Sequence, residues 1–124
     1  MKMRTLFIAN AIVQAMFGVG FLLIPTILLV IFGAQTDATG AMMARVAGSV
    51  IISLALVSWL GKDVDSVPAQ DAMAWGFISA HFLAGVLATI SIVSGAFNAL
   101  AWSSVLIDVV FVVAFLWVRH NKGK

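Results

Sequence analysis

Four long apolar runs take up most of this sequence and constrain its fold more than any other feature. They cover residues 5–24, 41–60, 72–93 and 97–118 of the 124. An α-helix needs about 20 mostly apolar residues to cross the hydrocarbon part of a bilayer, and each run meets that length. We therefore predict an all-α, polytopic integral membrane protein. It forms a single domain, residues 1–124, built as an antiparallel bundle of four transmembrane helices.

The composition excludes several other classes of protein. Charged residues make up 10% of the chain, whereas an ordinary soluble domain has about 25%. The net charge of +2 is too small for a surface that follows nucleic-acid phosphates. Cysteine is absent, which excludes disulfides and thiol chemistry. We expect the lipid bilayer as the immediate partner and no nucleic acid.

The basic residues predict the orientation of the bundle. With four spans both termini lie on one side, and that side also holds the loop between the second and third runs. Six Lys and Arg residues flank the runs there, and the loops of the other side have none. Cytoplasmic loops are the Lys- and Arg-rich ones, so we predict both termini in the cytoplasm and a bacterial-type cytoplasmic (inner) membrane. The six are Lys2, Arg4, Lys62, Arg119, Lys122 and Lys124.

Tryptophan positions favour the same arrangement. Trp59, Trp75 and Trp117 fall at the cytoplasmic ends of their runs, and Trp102 falls near an outer end. Indole rings are enriched at membrane–water interfaces. The alternative is that these rings only pack inside the bundle.

The sequence does not determine where the first helix ends, because the apolar sequence continues past Pro25 to Phe32. One interpretation is a single long helix kinked by the proline. The other is a span that ends near Pro25 and a separate short helix over 26–32, since proline suits the first position of a helix. We favour the second.

Each run contains polar interruptions at a depth that can be estimated from the 1.5 Å rise per residue. Gln14, His81 and Asp108 fall about 13–15 Å from the cytoplasmic side, near the middle of the bilayer. Asn10 falls about 8 Å in and Arg45 about 22 Å in. These five residues form the candidate intramembrane polar cluster.

The roles of these polar groups stay open at this level. Charges cost at least ~2.5 kcal/mol each in the middle of a membrane, so we predict that Arg45 and Asp108 pair, with His81 nearby. Such a pair would fix the fold or serve a function. Alternatively, Arg45 extends to the outer interface, Asp108 is neutral and His81 is a packing residue. Asn10 and Gln14 fit best as interhelical hydrogen bonds.

Small residues recur every fourth position and predict close helix packing. The third run carries Gly76, Ala80, Ala84 and Ala88, and the second carries Ala44 and Gly48.

The intramembrane residues offer little for cofactor chemistry. One histidine in the membrane is too few for bis-histidine haem, and one His with one Asp is too few for a metal centre. We expect no cofactor, no metal and no catalytic residue, and we lean against an enzyme. The leading function is an accessory or oligomer-forming subunit, in a larger membrane complex or by self-association. The alternative is a small transporter or proton-coupled binder that uses Asp108, His81, Gln14 and Arg45.

Several short motifs carry a family resemblance. They are the run Phe-Gly-Val-Gly-Phe at 17–21, followed by Pro25 and Phe32-Gly33, and the run Ala-Arg-Val-Ala-Gly at 44–48. In these the chain resembles small bacterial four-helix membrane proteins of DoxX-like and related uncharacterised families. The resemblance implies the four-helix topology and assigns no activity or site residue.

Overall fold

The structure is a computed structural model that describes residues 1–122, and within that range it is all-helical, without a β-strand. Four of its helices, counting the turn at 99–101 with the last, are long and apolar enough to cross a membrane. The predicted all-α class is confirmed to that extent. Lys124, one of the six basic residues, lies outside the described residues. The helices are α1 (Met3–Leu23), α2 (Pro25–Ile31), α3 (Ala38–Gly61), α4 (Val67–Val93) and α5 (Trp102–Asn121), the last preceded by a 3₁₀ turn (Ala99–Ala101).

The helices α3 and α4 begin three and five residues before the apolar runs that predict them, because polar caps precede these runs. The Asp37 carboxylate accepts a hydrogen bond from the Gly40 N–H at 2.8 Å, so α3 begins at 38 rather than 41. The Ser66 hydroxyl accepts from the Ala69 N–H at 3.4 Å, so α4 begins at 67 rather than 72. Both side chains satisfy backbone N–H groups that have no partner within the helix.

The short helix predicted after Pro25 is confirmed as α2. The chain leaves helical geometry at Ile24, with φ −131° and ψ 50°, and Pro25 begins the new helix. Gly33 ends α2 with a φ of +82°, which side-chain-bearing residues rarely adopt. The Asn98 N–H then donates to the Phe32 carbonyl at 2.7 Å. This bond joins α2 to the α4–α5 loop at one end of the bundle, which we call the α2 end.

The long helices associate as two pairs, α1 with α3 and α4 with α5. The first pair has backbone contact where its helices cross. A Cβ atom added at Gly48 would lie 2.7 Å from the Leu22 amide nitrogen and 2.8 Å from the Gly18 carbonyl oxygen. The crossing therefore requires glycine at position 48, as the small-residue pattern predicts for this helix.

Ion pairs join the helices at the opposite end, which we call the charged end. Arg4 pairs with Asp63 at 3.0 Å, and Arg119 pairs with Asp71 at 3.2 Å. Lys62 also contacts Asp63. Hydrogen bonds from Lys62 and then Arg4 hold the pKa of the Asp63 carboxyl below its usual value. The basic residues described by the structure at both termini and in the α3–α4 loop thus gather at one end.

Buried aromatic rings fill the half of the bundle nearest the charged end. The ring of Phe7 lies 5.6 Å from that of Phe77 and 6.0 Å from that of Phe115. Phe77 and Phe115 are 5.7 Å apart. These three rings are almost completely buried. The half nearest the α2 end is packed differently and contains a cavity that is partly open to the surroundings.

Candidate functional site

A chain of hydrogen-bonded polar side chains crosses the middle of the bundle and involves all four long helices. Ser58 of α3 lies 2.8 Å from the backbone carbonyl of Phe7 in α1. Asn10 of α1 lies 3.1 Å from Ser58 and 2.7 Å from His81 of α4. His81 in turn lies 2.7 Å from Asp108 of α5. Asn10, Ser58 and His81 are buried, whereas Asp108 at the end of the chain is partly exposed.

The Phe7 carbonyl fixes the direction of the bonds from Ser58 to His81, because a carbonyl oxygen can only accept. Ser58 must donate its single hydroxyl proton to it, which leaves the hydroxyl oxygen to accept from the Asn10 Nδ2. The Asn10 Oδ1 then faces the His81 Nε2 and must accept from it. The His81 ring therefore carries a proton on Nε2.

This direction also sets the number of protons between His81 and Asp108. Since Nε2 is already protonated, the 2.7 Å contact between Nδ1 and the Asp108 Oδ1 holds one proton. That proton belongs either to a neutral carboxyl group or to an imidazolium. The pair is electrically neutral in both cases. Loss of the proton would leave two facing lone pairs and a net charge of −1.

Packing by residues of α4 and α5 holds His81 and Asp108 in place. The His81 ring stacks on Phe111 with 4.8 Å between ring centres and 9° between planes. On α4, Gly85 leaves room for the acid, since a Cβ added there would lie 3.3 Å from the Asp108 Cβ. The ring and the carboxyl group are thus fixed in one mutual orientation.

Gln14 extends the chain and leaves one acceptor unused. Its Nε2 donates to the Asn10 Oδ1 at 3.2 Å, within α1. The predicted interhelical hydrogen bonds are therefore made by Asn10 but not by Gln14. Its Oε1 is buried and has no hydrogen-bond partner among the described residues. Turning the amide over would place two oxygens against each other at Asn10, so Oε1 must remain the free atom. Buried polar atoms without a partner are uncommon in folded proteins.

The cavity begins at these polar groups and extends to the α2 end. Its volume is about 400 Å³. Gln14, His81 and Asp108 form its polar floor. Ser91 and Ser104 also line it, but their hydroxyls donate to carbonyls of their own segments, Leu87 and Ala101. The rest of the lining is apolar and includes Phe17, Phe21, Phe32 and Phe97.

A second hollow, of about 350 Å³, lies between α4 and α5. His81 and Asp108 line it as well, and its other walls include the exposed Phe82 and Val109. The pair therefore borders a space on each side.

The small residues predicted to pack α4 closely against a neighbour instead line the cavity. Ala80, Ala84 and Ala88 are all part of its wall. A Cβ added at Gly76 would meet nothing within 4 Å. On α4 the small side chains leave empty space, whereas Gly48 on α3 allows a close crossing.

The predicted pair of Arg45 and Asp108 is wrong. Asp108 is bonded to His81, and none of the salt bridges within residues 1–122 involves Arg45. Arg45 is exposed on α3 and does not line the cavity. The physical reason is that α3 packs along α1, whereas α5 packs along α4. Side chains also lean toward the start of their helix, which for Arg45 is the α2 end. The structure brings together Asn10, Gln14, His81 and Asp108 and leaves Arg45 out.

Two members of the chain, Ser58 and the Phe7 carbonyl, were not predicted from the sequence. Serine hydroxyls in apolar helices commonly bond to the backbone of their own helix. Ser49 and Ser53 on α3 do so. No sequence signal distinguishes Ser58 from them, because its hydroxyl bonds to a carbonyl of the neighbouring helix α1 rather than to α3.

The polypeptide matches no family model, no curated protein and no solved structure. The DoxX-like resemblance therefore stays a prediction.

Proposed function

We propose that this chain is a four-span protein of a bacterial-type cytoplasmic membrane that binds a small, largely apolar molecule in its cavity. The molecule's polar group would rest on the floor formed by Gln14, His81 and Asp108. This proposal keeps the polar site of the transporter or proton-coupled binder alternative, without Arg45, and includes neither transport nor proton coupling.

The single observation that carries this proposal is the cavity with its polar floor. Small-molecule sites are mostly apolar, occupy roughly 300–1,000 Å³ and contain a few converging polar groups. A volume of about 400 Å³, aromatic walls and three polar side chains at one end fit this description. The groups that close the floor belong to a connected hydrogen-bonded chain, so they are held rigidly before a ligand arrives.

Membrane insertion with both termini in the cytoplasm is supported by the ends of the bundle. The charged end carries the ion pairs of Arg4 and Arg119. Cytoplasmic ends are the ones enriched in Lys and Arg. Trp75 lies under the Arg119 guanidinium at 4.5 Å, as expected for an aromatic residue at an interface.

Cysteine labelling tests this orientation. The native chain has no cysteine, so each introduced thiol is unique. We expect Gln35→Cys and Ala96→Cys, both exposed at the α2 end, to react from outside intact cells with an impermeant maleimide. We expect Asp65→Cys, exposed in the α3–α4 loop, to react only after the cells are opened. The reverse pattern would contradict the proposed orientation.

Filling the cavity tests the binding function. We expect para-hexylphenol to raise the unfolding temperature of the purified protein in mild detergent, because a ligand that binds only the folded state stabilises it. Ala84→Phe places a ring inside the cavity and should weaken that binding at least about tenfold, a loss of about 1.4 kcal/mol. Ala47→Phe, at an exposed position of α3, is the matched control and should bind as the native protein does. Equal binding by all three proteins would contradict the proposed site.

The accessory-subunit role stays a prediction, and purification distinguishes it from binding. A chain that co-purifies stoichiometrically with another membrane protein, and whose unfolding temperature no probe changes, would favour the accessory role. A chain that purifies alone and responds to para-hexylphenol favours the binder.

A further inference from the structure

The Gln14 amide on the floor of the cavity has an acceptor and a donor that other described residues do not use. The Gln14 Oε1 is unpaired among the described residues, and the Gln14 side chain is 6% exposed. The Gln14 Nε2 has two protons and donates one of them to Asn10, so its second proton is also free among the described residues. The other donors are engaged: the His81 Nε2 proton bonds to Asn10, and the remaining proton of the pair lies between His81 and Asp108. A molecule that fills this floor therefore has to supply a hydrogen-bond donor to satisfy Gln14.

The charge of the floor restricts the donor further. Among the described residues that line the cavity, only His81 and Asp108 are ionisable, and together they are neutral. An ammonium ligand would bring an uncompensated charge into an apolar space, which is costly. A neutral donor carries no such penalty, and the simplest neutral donor on an apolar body is a hydroxyl group.

We infer that the cavity takes a neutral, largely apolar alcohol or phenol, whose hydroxyl donates to the Gln14 Oε1. The aromatic side chains Phe17, Phe21, Phe32 and Phe97 contact its apolar body. This inference rests on the proposed binding function and adds the chemical class of the ligand.

The test compares two probes that differ in one donor, para-hexylphenol and its methyl ether para-hexylanisole. Dissociation constants come from the dependence of the unfolding temperature on probe concentration, in the same detergent for every protein. The native protein should prefer the phenol by about tenfold or more. Gln14→Met keeps the length of the side chain and removes the acceptor. In this variant the dissociation constants of the two probes should differ by about twofold at most.

The native protein and Gln14→Met are measured in the same micelles. Unequal partitioning of the two probes into the micelles therefore affects both proteins equally and cancels when the phenol preference of one protein is compared with that of the other. Gln14→Leu serves as a second variant if Gln14→Met does not fold. A preference that is unchanged in the variant would overturn the inference, as would tighter binding of para-hexylbenzylammonium than of the phenol. In either case, if Ala84→Phe abolishes probe binding, the proposed function stands although the inference about the ligand class fails. If no probe binds in a manner sensitive to Ala84→Phe, the proposed function fails and the inference fails with it.

Discussion

Asn10→Leu is expected to be the most destabilising substitution at a polar position within the spans, with a loss of roughly 2–6 kcal/mol in the free energy of unfolding. Asn10 accepts from both Gln14 and His81 while donating to Ser58. Leucine would leave two buried donors without partners, at about 1–3 kcal/mol each. The measurement is reversible unfolding in mixed micelles with increasing denaturing detergent.

Gln14→Met is the matched control for Asn10→Leu. It removes a single hydrogen bond between residues four apart on α1, and such a pair is worth about 0.2–0.5 kcal/mol in an isolated helix. It also removes the unpaired Oε1, and Asn10 still accepts from His81. We expect a change within about 1 kcal/mol. If the two variants were equally stable, Asn10 would not be the centre of the polar chain.

Asp108→Leu and Asp108→Asn should differ strongly although the two new side chains are similar in size. Leucine leaves the His81 Nδ1 without a partner and should cost about 1–3 kcal/mol. Asparagine can donate its amide proton to the Nδ1 as a neutral carboxyl group would, so we expect less than about 1 kcal/mol. Unfolding in the same mixed micelles measures both.

Equal losses for the two Asp108 variants would contradict this prediction, because they would mean that asparagine does not replace the hydrogen bond of Asp108 to His81. Arg45→Gln should add independently to Asp108→Asn, since the two native side chains do not pair. A double variant more stable than the sum of the two losses would restore the predicted Arg45–Asp108 pair.

The architecture was largely readable from the sequence because helix length and polarity are local properties. The four apolar runs correspond to α1, α3, α4 and the segment Ala99–Asn121, and Pro25 marks the start of α2. The starts of α3 and α4 were misplaced because the caps at Asp37 and Ser66 are polar and precede the apolar stretch.

The site was only partly readable because it depends on which helices are neighbours. Depth estimates correctly placed Gln14, His81 and Asp108 at a common level, where they now line one floor. Depth does not report direction around the bundle axis, so Arg45 was paired with the wrong helix. The same limitation applies to Ala84, because a small side chain marks close packing and empty space alike.

The central claim is that the Phe7 carbonyl sets the direction of one polar chain, which ends in a proton shared by His81 and Asp108 above the cavity floor. Nitrogen NMR of the His81 ring tests it most directly, in ¹⁵N-histidine-labelled protein reconstituted in lipid. His120→Gln, at an exposed position, leaves His81 as the only histidine. The account predicts a proton bonded to Nε2 and a second proton hydrogen-bonded between Nδ1 and Asp108. An Nε2 without a proton, beside a protonated Nδ1, would contradict it.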